Sequence, residues 1–245
     1  MNLMNAVNTG RISKTALDAS VARVLRLKFE MGLFENPYVD PEKAKKEVRS
    51  EESVTLARRV AQASITLLKN EHSLLPLNKN RKVALIGPNA DNRYNMLGDY
   101  TAPQEEENIK TVLDGIRAKL SSSQVEYVKG CSIRDTVTTD IEQAVAAAQR
   151  SEVIIAVVGG SSARDFKTSY KETGAAIADE KTISDMECGE GFDRATLSLL
   201  GKQQELLKAL KATGKPLIVV YIEGRPLAKN WASENADAVL TAYYP

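Results

Sequence analysis

Between Ser161 and Asp193 the chain gathers Arg164-Asp165, Tyr170, Glu172, Asp179 and Glu180, and then the run Asp185-Met186-Glu187-Cys188-Gly189-Glu190-Gly191-Phe192-Asp193-Arg194. Glu190 stands between two glycines. Glycine takes backbone conformations closed to other residues and lets a substrate come near, so this spacing can present a carboxyl group on an exposed turn as a proton donor. The same glutamate also fits a solvated surface carboxylate in a chain that is 27% charged. Asp193-Arg194 reads as a helix N-cap with a neighbouring charge. Cys188 reads as a small buried or half-exposed side chain, and His72 as a loop residue.

Other chemistries lack their residues. One histidine and two distant cysteines, Cys131 and Cys188, with no Cys-x-x-Cys, exclude a zinc site and a Ser-His-Asp triad. The apolar run ending at Gly159-Gly160 suggests a nucleotide fold, but Gly-x-Gly-x-x-Gly is absent and no cofactor is implied. With 33 basic and 32 acidic residues the net charge is +1, which gives no electrostatic reason for a nucleic acid or anionic membrane partner. Hydrophobic residues make up 43% of 245, enough for one or two cores. No run approaches ~18 apolar residues, and Asn2 and Asn5 follow Met1 without a basic or apolar leader, so neither a membrane span nor an export signal is expected in this chain.

The elements that must hold this polar stretch show in the hydrophobic pattern. From about residue 81, short apolar runs alternate with helical segments, the signature of an α/β fold with a doubly wound, mostly parallel sheet. Five strands are expected: Val83 to Ile86, Val125 to Val128, Val153 to Val158, Leu217 to Ile222 and Ala238 to Tyr243. Helices are expected at Ile109 to Leu120, Ile141 to Gln149, Gln203 to Ala212 and Asn230 to Glu234. The long loop leaves the carboxyl end of Val153 to Val158, where open α/β sheets place their ligands. It runs to roughly thirty residues, against about 2–6 for an ordinary connection. Upstream, Ser13 caps a helix with Leu17, Val21, Val24, Leu25 and Phe29 on one face, ending at Gly32. A second helix is expected from Ser50 to Lys69, and the charged run Pro41 to Arg49 reads as a linker.

Several segments together resemble glycoside hydrolase family 3, the β-glucosidase and β-xylosidase type. They are Gly10 to Ser13, Asp18 to Tyr38, Ala63 to Asn70, Leu74 to Leu77, Val83 to Pro88, Gly189 to Arg194 and Gly224 to Leu227. The resemblance covers nearly the whole chain in the family's order. It implies that residues 1–35 are terminal helices of a barrel-type domain, 36–80 a linker and connecting helix, and 81–245 an α/β sandwich domain cut at its C-terminus. It implies a retaining, exo-acting β-glycosidase of terminal β-linked glucose or a related sugar, in which Glu190 is the acid/base, with Glu187 as the competing choice. The aspartate nucleophile would lie in the missing barrel domain before Met1, so the chain alone is expected to be inactive or nearly so. The other function class left open is a non-catalytic carbohydrate-binding module using Arg164, Asp165 and Tyr170. Enzymes of this type often work in the periplasm or outside the cell.

Overall fold

The computed structural model describes residues 2–102, 105–162, 172, 185–189 and 192–245. The chain divides into two compact units, Met1–Ala57 and Arg58–Pro245. The first holds α1 (Leu3–Asn8), α2 (Lys14–Glu30), α3 (Pro41–Glu47) and the start of α4 (Glu51–Ser64). Ser13 caps α2 as expected, its hydroxyl accepting from Ala16 N at 3.1 Å. The run read as a linker is instead the helix α3. Asp40 Oδ1 accepts from Glu42 N at 2.9 Å and Pro41 fills the first helical position, a start signal that the density of charge obscures. The stripe Val21, Val24, Leu25 and Phe29 of α2 is exposed.

The second unit is built on a sheet of six strands: β1 (Thr66–Asn70), β2 (Val83–Ile86), β3 (Val125–Val128), β4 (Val153–Gly159), β5 (Leu217–Ile222) and β6 (Ala238–Tyr243). Their order across the sheet is β1-β6-β5-β4-β2-β3. The five expected strands pair in parallel, with Val83 opposite Val153. The sixth was hidden in the helix expected from Ser50 to Lys69. That helix stops at Ser64, and Thr66–Asn70 pairs antiparallel with β6. A short apolar run such as Ile65 to Leu68 fits either element by periodicity, and hydrogen bonding to the edge of β6 decides it.

Helices α5 (Val112–Arg117), α6 (Ile141–Arg150), α7 (Gln203–Lys211) and α8 (Asn230–Asn235) complete the unit. Alternate strand residues face opposite cores. Ala84, Ile86, Ile154, Ala156, Val158, Leu217 and Val219 pack with Ala144 and Ala148 of α6, Leu206 and Leu210 of α7 and Ala232 of α8. Val83, Leu85, Ile155, Val157 and Ile218 pack with Leu113 of α5 and with Leu74, Leu75 and Leu77. Every residue of β4 is buried, as a central parallel strand covered on both faces requires. An α/β sandwich is therefore the architecture, with one antiparallel edge strand.

Candidate active site

The site begins where β4 ends. Gly159 has φ +136, and a Cβ there would strike the Ile222 carbonyl oxygen of β5, so only glycine lets the strands stay this close as the chain turns out. Gln203, wholly buried at the start of α7, holds this residue from both sides. Its Oε1 accepts from Gly159 N at 2.8 Å and its Nε2 donates to Gly159 O at 2.9 Å. Asn89, also wholly buried, donates from Nδ2 to Gly160 O at 3.1 Å and accepts at Oδ1 from Asn95 Nδ2 at 2.7 Å. The end of β4 is thus a rigid platform.

The polar run returns to this platform. Glu187 N donates to Ser161 O at 2.9 Å, and Arg134 Nη1 donates to Met186 O at 3.1 Å. Met186, Glu187 and Cys188 are buried. The Glu187 side chain is only 2% exposed and the Arg194 side chain 5%; Arg194 Nη1 donates to Glu187 Oε2 at 2.7 Å. Each nitrogen of Arg194 makes a hydrogen bond, since Nε donates to Thr196 O at 2.6 Å and Nη2 to Ser198 O. Glu187 Oε1 lies against Gly160 and meets no hydrogen-bond donor among the described residues. Gly189 and Phe192 are bridged, Phe192 N donating to Gly189 O at 3.2 Å.

Asp193 is not a helix N-cap, because no helix begins beside it and α7 starts at Gln203. Its Oδ1 accepts from Arg225 Nη1 at 2.9 Å instead. That ion pair joins two stretches of the resemblance, Gly189 to Arg194 and Gly224 to Leu227. The hydrogen bond from Arg225, with a second from Arg194 N, holds the Asp193 carboxyl below the usual carboxylate range. Burial pushes the Cys188 thiol up, and the Glu187 charge adds to the rise; Cys188 Sγ lies 3.3 Å from Tyr244 Oη. Burial likewise raises the Tyr244 hydroxyl. A cleft of about 400 Å³ borders the segment, lined by Arg134, Thr136, Glu187, Phe192, Asp193 and Leu200 among others. Among the described residues no group of three His, Cys, Asp or Glu side chains is placed to hold a metal ion, and no helix is long and apolar enough to cross a membrane.

Of the residues picked from sequence, Glu187 is brought to the end of β4, while Glu190, Arg164, Asp165 and Tyr170 lie outside the described residues. Arg134, Gln203, Asn89 and Tyr244 were missed. Gln203 and Asn89 each sit near a glycine turn, but nothing in their spacing shows that both are wholly buried.

The sequence matches the family described as "Glycosyl hydrolase family 3 C-terminal domain" over residues 65–245. It is 35% identical over 237 residues to a beta-xylosidase of Formosa agariphila, covering 93% of this chain and 29% of that protein. To a periplasmic beta-glucosidase of Salmonella typhimurium it is 30% identical, covering 99% of this chain and 32% of that protein. The crystal structure of a beta-glucosidase from Listeria innocua in complex with isofagomine superposes with a TM-score of 0.80 at 30% identity, over 100% of this chain and 31% of that one. The same Listeria protein has been solved in complex with glucose. The chain spans about a third of the length of these relatives.

Proposed function

Because the chain belongs to glycosyl hydrolase family 3, we propose that it forms the acid/base-supplying part of a longer retaining exo-β-glycosidase, with Glu190 as the acid/base. Residues 1–35 on this reading end a barrel-type domain whose aspartate is the nucleophile. Retaining hydrolysis needs two carboxyl groups about 5–5.5 Å apart, one attacking the anomeric carbon and the other protonating the leaving oxygen before activating water. The observation that carries the choice of glutamate is the burial of Glu187. A carboxylate 2% exposed and paired with Arg194 is poorly placed to exchange a proton with a substrate, which favours Glu190 over Glu187 for that role. Terminal β-linked glucose or xylose is the substrate class that the named activities of the relatives support. Arg164, Asp165 and Tyr170 are assigned to contacts with the sugar. The periplasmic relative favours work outside the cytoplasm for the whole protein.

Without a nucleophile the chain alone forms no glycosyl intermediate, so it releases no nitrophenol from an aryl β-glucoside at a measurable rate. In the longer protein, Glu190→Ala slows glycosides with poor leaving groups far more than activated aryl glycosides, and azide restores part of the turnover by replacing the activated water. Equal losses on both substrate types, without azide rescue, would remove Glu190 from the acid/base role.

A further inference from the structure

The segment that carries Glu190 is held at both of its described ends by charged pairs that the chemistry itself does not require. On the near side, Glu187 hangs from Ser161 O by its backbone and is gripped by Arg194 through its carboxylate. On the far side, Asp193 is gripped by Arg225. Arg194 then fixes the chain beyond, through Thr196 O and Ser198 O. Between these anchors Gly189 and Phe192 are joined by one hydrogen bond. A buried pair of this kind adds little net stability compared with an apolar replacement, but the planar guanidinium, bonded to Glu187, Thr196 O and Ser198 O in different directions, restricts how the two segments can lie.

We infer that Glu187 and Arg194 are positioning residues, a clasp that fixes where the acid/base segment stands relative to the end of β4. The inference rests on the reading of Glu190 given above. The clasp works through geometry: Arg194 is tied at all three nitrogens, so the bond to Glu187 sets the distance between the strand of the segment that arrives and the strand that leaves. Gly160 belongs to the same device, because a side chain there would occupy the space that the Glu187 carboxylate fills.

Two measurements test it. On this chain, alkylation of Cys188 is followed by peptide mapping, with buried Cys131, its thiol pushed up to about 12 by burial, as the internal control. Glu187→Ala and Arg194→Met raise labelling at Cys188 by about tenfold while Cys131 stays slow, the mark of a local opening. In the longer protein, Glu187→Gln and Arg194→Met lower kcat on alkyl β-glycosides by about 10²-fold, as a misplacement near 1 Å would. Nitrophenyl glycosides lose little, azide restores nothing, and Arg194→Lys keeps more activity than Arg194→Met. Unchanged kcat in Glu187→Gln, with Glu190→Ala behaving as an acid/base, overturns the clasp and leaves the assignment of Glu190 standing. Equal losses on both substrates reduce the pair to a folding role and also overturn it. Azide rescue at Glu187 in place of Glu190 overturns the clasp and the assignment together.

Discussion

Strands β4 and β5 lie side by side in parallel, and each has a buried glutamate at its carboxyl end, yet the two carboxylates are satisfied in opposite ways. Glu223 follows β5 directly and is saturated. Its Oε2 accepts from Leu227 N at 3.0 Å and Lys229 Nζ at 2.8 Å, and its Oε1 accepts from the Thr241 hydroxyl and lies 2.6 Å from Lys229 Nζ in the same ion pair. Glu187 comes back to β4 from a distant part of the chain, meets Arg194 with one oxygen and has no donor for the other among the described residues. A buried polar atom left so is uncommon and carries a free-energy penalty. The turn after β5 is finished scaffold, closed by its own neighbours in sequence and by the adjacent strand. The segment at β4 is held by Ser161, Arg134 and Arg194 and pressed on Gly160, and among the described residues one oxygen of its glutamate has no donor.

Breaking the saturated side has the largest expected effect on stability. Glu223→Gln leaves Lys229 without its ionic partner in a buried site, and destabilises the chain by about 3–5 kcal/mol in urea unfolding. If Glu187→Gln lowered the unfolding midpoint as much, the contrast between the two carboxylates would disappear. Gly160→Ala sharpens the other side. Its Cβ collides with the Glu187 carboxylate, an overpacking that costs about 1–3 kcal/mol. In a Glu187→Ala background that penalty shrinks, so a double-mutant cycle shows coupling; simple additivity would mean that the two groups do not press on each other. The smallest effect belongs to Asp193, whose side chain is 88% exposed. Its folded pKa is depressed, so its contribution is present above the unfolded value near ~3.9 and vanishes as pH falls through the folded one. Wild type and Asp193→Asn therefore differ slightly at pH 7 and coincide in strong acid; a gap that persists there would assign the effect to something other than the Arg225 pair.

Strands buried on both faces were plain in the sequence, because β2, β4 and β5 are unbroken apolar runs. β1 and α3 were not. β1 is a strand only because β6 offers it an edge, and α3 depends on a cap and a proline inside a run of charges. At the site, the glycine-flanked motif located the segment that returns to β4, but its grip was not legible. Arg194 reaches back seven residues to Glu187, and Arg134 comes from a loop after β3 with no motif of its own. The reading of Asp193 as a cap failed for the same reason, since Arg225, far along the chain, decides its role.

The pairing of β1 with β6 sets a constraint on the order of assembly. Among the described strands β1 bonds only to β6, so the first strand to leave the ribosome must wait while β2 to β5 are made. Leu67 and Leu68 then sit on a bare strand edge, open to pairing with a second nascent copy. Contacts between distant parts of a chain also close slowly. The edge charge Lys69, which donates to Ser233 O at 2.8 Å once folded, is in that interval a guard against such mispairing. Interruption of synthesis before Ala238 would strand β1 and uncover β5 together, so β6 is the strand on which both of its neighbours depend.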